Sequence, residues 1–389
     1  MTDKPQFVGK KVRLGDIVKI EKASMPSGNN VWVLNLDAVE KGTGKVIVKN
    51  RMKADSAGTS TVAFTADAVL YSKLRPNLNK VVVADEPGLA TSEMLPLIVN
   101  PEVLDRRYFA YLLRSNSFVN LAVSSTAGSK MPRMNKKTLL NAVFPIPSLE
   151  LQHQRIDLLS SIEKARTKAE LLIQQLDTLV KSRFIEMFGD LKQGYSCSSC
   201  RLGSISRIGS SRRVFRNELL SEGIPFYRGT EIAALSMGSE TSPSLFISKE
   251  RYDELVAITG KPEVGDLLLP SICPDGQIWR VDTGKPFYFK DGRVLWIHPN
   301  REIVDSIFLR HALSILFQMS FSDIASGTTF AEMKIFLLKE LEVPLPDITV
   351  QKKFAAFVAQ VDKSRFVAQQ QIEKLQMLYD SLAQEYFGD

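Results

Sequence analysis

The fold is decided by a fifty-residue stretch, Asn141–Asp190, that reads NAVFPIPSLELQHQRIDLLSSIEKARTKAELLIQQLDTLVKSRFIEMFGD. It aligns without a gap on Glu340–Asp389, at a constant offset of 199 residues. Fourteen of the fifty positions are identical, whereas ordinary residue frequencies would give about three. The chain therefore contains a duplicated segment.

Each copy of the duplicated segment predicts one long helix. A Pro-x-Pro element opens it in extended conformation, and a glycine closes it. Ser148 in the first copy and Asp347 in the second follow the prolines as N-caps. Between cap and glycine lies a run of about 38 residues without proline or glycine, which corresponds to roughly 57 Å of helix.

Apolar residues in both copies recur at alternating spacings of three and four, which is typical of a coiled-coil seam. The seam residues are Leu159, Ile162, Ala169, Ile173 and Leu176 in the first copy and Val358, Val361, Ala368, Ile372 and Leu375 in the second. Arg166 and Arg365 interrupt the two seams at equivalent steps. We expect the helices to pack on each other as an antiparallel coiled coil. The alternative is that each helix packs only on its own domain.

Four regions follow from the repeat. We predict a first globular domain over 1–144, a long helix over 145–190, a second globular domain over 191–343 and a second long helix over 344–389. Both globular parts begin alike, because Val12–Ile17 is echoed by Cys200–Ile205, and each of these segments predicts a short strand. The expected fold class is mixed α/β (α+β), with one frame used twice and with different loops in each copy.

The charge of the chain is unevenly distributed. The whole chain has a net charge of +7. The first 145 residues carry 21 basic and 12 acidic residues, while residues 191–345 carry 18 of each. A polyanionic partner is therefore favoured most by the first domain, and the second could bind one only through a local cluster of cations.

Cysteine usage and hydropathy indicate a soluble, cytoplasmic protein. Three cysteines are too few for a disulfide framework. Cys197 and Cys200 form one Cys-x-x-Cys pair, but a second ligand pair at a typical zinc spacing is absent, so no metal site is predicted. The polar segment Met1–Arg13 is no signal peptide, and no apolar run approaches the roughly 18 residues of a membrane span.

Catalytic motifs are missing from the sequence. It contains no Asn/Asp-Pro-Pro-aromatic motif, no glycine-rich loop for S-adenosylmethionine and no Walker-type phosphate loop. Three histidines, none of them in a helical pair, argue against a metallohydrolase. No catalytic residue is predicted.

The better functional signal is a set of Arg, Lys, Asn and Gln residues in loops. Arg and Asn can read guanine and adenine edges, and Lys and Arg can bind phosphates, although a basic loop can also simply be solvated. The predicted DNA contacts are Lys73, Arg75, Asn77, Asn79, Lys80, Lys130 and Arg133 in the first domain and Arg212, Arg213, Arg216, Arg228, Gln277 and Arg280 in the second.

The order domain, long helix, domain, long helix resembles the specificity subunit of type I restriction-modification enzymes. Each helix begins after a Pro-x-Pro and ends at Phe-Gly-Asp, and the resemblance covers essentially the whole chain. It implies that each domain is a target-recognition domain for one half of a bipartite double-stranded DNA site, and that the helices hold the half-sites a fixed distance apart. It also implies partners: two modification subunits that bind S-adenosylmethionine and methylate adenine, and restriction subunits that use ATP and Mg²⁺.

Two other functions are compatible with parts of the sequence. A self-contained DNA methyltransferase would need the cofactor and catalytic motifs that are missing. A coiled-coil scaffold without a DNA role would use its two globular domains to bind proteins. S-adenosylmethionine binding by the chain alone would favour the first, and loss of sequence-selective DNA retention would favour the second.

Overall fold

The computed structural model describes residues 9–58, 60–127, 130–190, 194, 197–239, 241–273, 276–324 and 332–388, with backbone only for residue 127 and for 320–324. Ser129, Asp389 and the first eight residues, which fall within predicted regions, lie outside this set. The chain divides into two compact units. Unit 1 comprises Met1–Leu171 and Gln369–Asp389, and unit 2 comprises Leu172–Ala368.

Unit 1 is a mixed α/β unit that includes the first part of one long helix and the last part of the other. Its elements before the second helix are β1 (Lys10–Arg13), α1 (Leu14–Ile17), β2 (Val18–Ile20), β3 (Val31–Leu34), β4 (Asn50–Met52), β5 (Thr61–Phe64), β6 (Val69–Ser72), β7 (Val81–Val83), β8 (Gly88–Thr91), β9 (Met94–Val99), α2 (Arg106–Arg114), α3 (Asn116–Ser124), β10 (Thr126–Ala127), β11 (Arg133–Met134), α4 (Lys136–Asn141), β12 (Val143–Ile146) and the beginning of α5 (Leu149–Phe188).

Two four-stranded sheets form the globular part of unit 1. Their strand orders are β2-β9-β6-β7 and β4-β3-β8-β5, and β1 pairs antiparallel with β12. The strands of the first sheet are rich in Val, Leu and Ile, and they bury these side chains against α2 and α3. Tyr108, Phe109 and Phe118 are at most 1% exposed in that core.

Unit 2 shares the beginning and the end of this order of elements, but the part between them differs and includes two additional helices. Its elements are the end of α5, β13 (Ser199–Arg201), α6 (Leu202–Ile205), β14 (Ser206–Gly209), β15 (Ile224–Tyr227), α7 (Gly229–Ser236), β16 (Phe246–Ile247), α8 (Lys249–Thr259), β17 (Leu267–Pro270), β18 (Trp279–Arg280), β19 (Tyr288–Phe289), β20 (Val294–Pro299), α9 (Ser306–Ile324), α10 (Ile335–Glu340), β21 (Glu342–Pro344) and the beginning of α11 (Ile348–Phe387).

The sheets of unit 2 show which part of the frame is shared. The order β14-β20-β17-β18 matches β2-β9-β6-β7 of unit 1, and the pair β13-β21 matches β1-β12. The other sheets differ, because unit 2 has the three-stranded order β16-β15-β19 where unit 1 has four strands. The predicted mixed α/β fold is confirmed, and the divergence is concentrated in the second sheet and its loops.

The two long helices are continuous over 40 residues each. The Ser148 hydroxyl accepts a hydrogen bond from the Leu151 N–H at 3.4 Å, and the Asp347 carboxylate accepts one from the Thr349 N–H at 2.8 Å. Gly189, with φ of 85°, follows the end of α5, and its N–H donates to the Ile185 carbonyl. The predicted caps and the glycine stop therefore delimit the first helix as expected.

Each unit is completed by the end of the helix that starts in the other unit. Phe188, at the end of α5, makes edge-to-face contacts in the unit 2 core, with its ring centroid 4.8 Å from Phe308 and 5.5 Å from Phe354. Phe387, at the end of α11, lies 5.1 Å from Tyr108 in the unit 1 core. The phenylalanine of each Phe-Gly-Asp thus closes a core, which explains why both copies of the repeat end alike.

The helices run antiparallel within each unit. In unit 1 the Arg166 guanidinium donates to the Gln376 amide oxygen, and in unit 2 Arg365 pairs with Asp177. Position 376 is the repeat counterpart of position 177, so the two arginines make equivalent contacts. The alternative in which each helix packs only on its own domain is wrong.

The seam residues are buried to different degrees. Leu159, Ile162, Ala169, Val358, Val361 and Ala368 are at most 6% exposed. The remaining four, Ile173, Leu176, Ile372 and Leu375, are half-buried. The seam is therefore buried from the first half of each helix to the central alanine, and it is less buried at the next two seam positions.

A buried glutamine ties the start of α5 to the globular part of unit 1. Gln152 is 0% exposed. Its amide oxygen accepts from the Asp105 N–H at 2.8 Å, and its amide nitrogen donates to the carbonyls of Val103 at 2.8 Å and Pro147 at 2.9 Å. One side chain thereby joins the loop before α2, the Pro-x-Pro element and the first turn of the long helix.

The second copy of the repeat has an equivalent buried glutamine. Gln351 is also 0% exposed, and it accepts from the Asp305 N–H at 2.8 Å. It donates to the carbonyls of Ile303 at 3.3 Å and Pro346 at 2.8 Å. The identity of these two glutamines in the sequence repeat thus has a structural cause.

The short strand predicted over Val12–Ile17 is only partly correct. The strand ends at Arg13, and one helical turn, α1, follows it. A Cβ on Gly15 would stand 2.8 Å from the Leu140 carbonyl oxygen, so only glycine lets this turn approach α4 so closely. In unit 2 the strand β13 likewise gives way to the turn α6 after Arg201.

Candidate DNA-contact surfaces

The two basic segments predicted in the first domain meet in unit 1. The Arg75 N–H donates to the Pro132 carbonyl at 2.8 Å, and Leu74 and Arg133 form an antiparallel bridge. The loop between β6 and β7 therefore lies against the segment that leads into β11. Sequence reasoning treated the two segments as separate, because their contact joins residues almost sixty positions apart.

Arg75 is the most unusual residue of this surface. It is exposed and adopts a left-handed conformation, with φ of 49° and ψ of 64°. For a residue with a side chain this conformation costs about 1–2 kcal/mol. The backbone contacts to Pro132 and to the turn after Pro76 hold the Arg75 backbone in place, so its side chain leaves the loop from a fixed point. In the described part of the chain it has no ion pair or side-chain hydrogen bond.

Three of the predicted contacts in this loop are used inside unit 1. The Asn79 amide donates to the Arg114 carbonyl at 2.8 Å, and the Lys80 ammonium donates to the Leu36 carbonyl at 2.6 Å. Lys73 is half-buried, 3.9 Å from the Glu93 carboxylate. These residues build the loop. Asn77, by contrast, is exposed.

Arg133 also has an internal partner. It makes a two-pronged contact with Glu93, with nitrogen to oxygen distances of 2.8 Å and 3.0 Å. The hydrogen bond from Arg133 lowers the pKa of Glu93, so the pair stays ionised near neutral pH. Lys130, a few residues earlier, is exposed. On this surface the exposed DNA-contact candidates are accordingly Arg75, Asn77 and Lys130, with Arg133 partly available.

The arginine-rich loop of unit 2 follows β14. Arg212, Arg213 and Arg216 are all exposed. Arg213 is paired with Asp291 at 3.2 Å, whereas Arg212 and Arg216 have no ion pair among the described residues. Phe215, between them, is 57% exposed. Sequence reasoning missed this ring, although its position among three arginines was a usable signal.

The other three candidates of unit 2 do not join this loop by any described contact. Arg228 binds Glu231 at 2.6 Å. Burial opposes ionisation of Glu231, but hydrogen bonds from Arg228, Thr230 and the backbone outweigh it and lower the pKa to about 2. Gln277 is half-buried, and Arg280 donates from Nε to the Ser306 hydroxyl at 2.8 Å. Arg228 and Arg280 thus have structural partners.

Metal-binding clusters and membrane-spanning helices can also be looked for among the described residues. Among them, no three His, Cys, Asp or Glu side chains are grouped so that they could hold a metal ion. Cys273 is buried, while Cys197 and Cys200 are half-buried. Within the same part of the chain, every helix is too short or too polar to cross a membrane.

Comparison with known proteins shows what the chain is similar to. The model of the type I restriction modification DNA specificity domain matches residues 9–176. A type I restriction enzyme specificity subunit of Haemophilus influenzae is 23% identical over 266 residues, which cover 66% of this chain and 64% of that protein. The match therefore spans just under two thirds of the relative's length.

A second relative and a solved structure match nearly the whole chain. The MjaVIII specificity subunit of Methanocaldococcus jannaschii is 21% identical over 402 residues, covering 94% of this chain and 88% of that protein. The crystal structure of the type I restriction-modification S subunit from M. genitalium has a TM-score of 0.61 at 16% identity, and the match covers 100% of this chain and 98% of that one. Over nearly its whole length the chain is therefore similar to specificity subunits of type I restriction enzymes, and its residues 9–176 match the DNA specificity domain of that family.

Proposed function

We propose that the chain is the sequence-specific DNA-recognition subunit of a type I restriction-modification complex. Unit 1 reads one half of a bipartite site and unit 2 reads the other. The observation that supports this most strongly is that each unit carries exposed cations on a loop held by hydrogen bonds within that unit. The other arginines of the predicted set are bound to carboxylates or a hydroxyl of the same unit. Arg75, Arg212 and Arg216 have no such partner among the described residues, so they are available to an outside partner.

The same proposal assigns the chemistry to other subunits. This chain is non-catalytic and needs no cofactor of its own. S-adenosylmethionine is bound by two modification subunits, which methylate adenine, and ATP and Mg²⁺ are used by restriction subunits. The long helices scaffold these partners and set the length of the spacer between the half-sites. The complex acts on double-stranded DNA in the cytoplasm.

Methylation mapping tests this function directly. DNA from cells that express the chain with its modification subunits is sequenced for methylated adenines. A bipartite motif with a fixed spacer is expected, and it must vanish when the chain is omitted. A motif that persists without the chain, or methylation without sequence preference, would refute the proposal.

Replacing Arg75 with glycine is expected to weaken binding of the mapped site about tenfold and to lower the salt slope by about one. A cation that contacts phosphate or a base is lost, while glycine adopts the left-handed conformation without strain. The variant should therefore unfold at the same or a slightly higher temperature. Affinity is measured on duplex DNA with the reconstituted methyltransferase complex over a series of salt concentrations.

Arg107→Gln is the matched control for the Arg75 variant. Arg107 is an exposed arginine of α2 in the same unit, and its removal changes the net charge equally. It should leave affinity for the site within about twofold. If both variants weaken binding to the same extent, Arg75 acts only through the total charge, and the prediction that it contacts DNA directly is wrong.

A further inference from the structure

The loop over residues 210–218 of unit 2 combines an aromatic ring and cations on one exposed segment. Phe215 is 57% exposed. Arg212 and Arg216 are exposed on either side of it in the chain, without an ion pair among the described residues. A ring at the surface leaves apolar area in water, and neighbouring cations exclude a purely apolar partner.

The loop is anchored before Phe215. The Ser211 hydroxyl donates to the Phe289 carbonyl at 2.5 Å, and the Arg212 N–H donates to the Tyr288 hydroxyl at 2.9 Å. Val214 is 5% exposed and packs in a core that includes Tyr288. The side chain immediately before Phe215 thus points into the unit.

The loop is also anchored after Phe215. The Glu218 carboxylate accepts the Phe215 N–H at 2.6 Å, and Arg251 holds the same carboxylate at 2.8 Å. The backbone of Phe215 is therefore fixed before any partner binds. Little conformational entropy would be lost when a ligand contacts the ring, which favours recognition.

We propose that Phe215 is a specificity-determining residue that contacts bases of the half-site read by unit 2, with Arg212 and Arg216 on the flanking phosphates. Duplex DNA offers both surfaces that this loop fits: anionic phosphates, and apolar base groups such as the thymine methyl or an opened base step. Because residues 191–345 carry as many acidic as basic residues, a local loop of this kind is what DNA binding by this part of the chain requires. This inference rests on the proposed function.

Phe215→Ala in the reconstituted methyltransferase complex tests the inference. Methylation is measured on a pool of duplexes in which the unit 2 half-site is randomised. We expect methylation of the cognate half-site to fall about tenfold and discrimination to be lost at one or two adjacent base pairs. The salt slope should not change, because no charge is removed. Preference at the half-site of unit 1 should be unaltered.

Phe336→Ala is the matched control, since Phe336 is 64% exposed in α10 of the same unit. It should behave as wild type, and Arg216→Gln should lower the salt slope by about one while keeping base discrimination. If the base preferences of Phe215→Ala equal those of wild type or of Phe336→Ala, this inference is wrong, while the proposed function is unaffected. If the wild-type complex itself shows no sequence preference, the proposed function fails with it.

Discussion

Inserting one heptad into both long helices is expected to abolish methylation of the original site and to create a site whose spacer is about three base pairs longer. Seven residues add about 10.5 Å of helix, and one base pair step is about 3.4 Å. Seven is the repeat of the seam, so an insertion of this length keeps the apolar residues in phase. The loss at the original site should exceed 100-fold, because one of the two half-sites would be unoccupied.

The insertion points are given by the division of the chain into units. Placing one heptad between Leu171 and Leu172 and the other between Ala368 and Gln369 leaves the contacts inside each unit intact. Both half-site sequences should therefore stay the same. Adenine methylation mapped by sequencing reports the spacer and both half-sites in one experiment.

Two controls make the insertion test specific. A heptad in α5 alone puts one seam out of step with the other, so it should reduce complex assembly without creating a new spacer. In the second control, the inserted heptad sequence replaces the seven residues before each insertion point, so the helices keep their length. The original spacer should then be retained. A changed half-site with an unchanged spacer would contradict the proposal that the helices set the length of the spacer.

The helices could be predicted from the sequence because their signals are local and were duplicated. Proline, cap and glycine delimit each helix, and a seam at regular spacing is visible without any knowledge of the partner. The sequence did not predict that Phe188 would enter the core of unit 2 and Phe387 the core of unit 1. The sequence shows that both copies end in phenylalanine, but the aromatic partners Phe308 of Phe188 and Tyr108 of Phe387 lie more than a hundred positions away in the chain.

The sequence alone could not show which of the candidate DNA contacts have internal partners. Residue type marks a side chain as a potential base or phosphate contact, but it does not show whether an internal carboxylate has already bound it. Arg133 and Arg228 were chosen by type, and each has a close glutamate. The strained backbone of Arg75 was equally invisible, because it depends on the Pro132 carbonyl that reaches the loop only in the folded unit.

Replacing Gln152 with leucine is expected to lower the free energy of unfolding of unit 1 by about 4 kcal/mol. Leucine matches the volume of glutamine but leaves the Asp105 N–H and the carbonyls of Val103 and Pro147 without their partner in a buried site. Each such group costs about 1–3 kcal/mol. The loss is measured by chemical denaturation and by hydrogen exchange of the α2 amides.

The repeat supplies the controls for the Gln152 prediction. Gln351→Leu should destabilise unit 2 by a similar amount and raise exchange in α9 and not in α2, because the same three contacts are lost there. Gln154→Leu, on the exposed face of the same helix, should change stability by less than about 0.5 kcal/mol. Equal losses in all three variants would mean that the long helices simply tolerate leucine poorly. A loss confined to the unit that contains the substituted buried glutamine would instead establish that each copy of the repeat fastens its own helix to its own domain through this side chain.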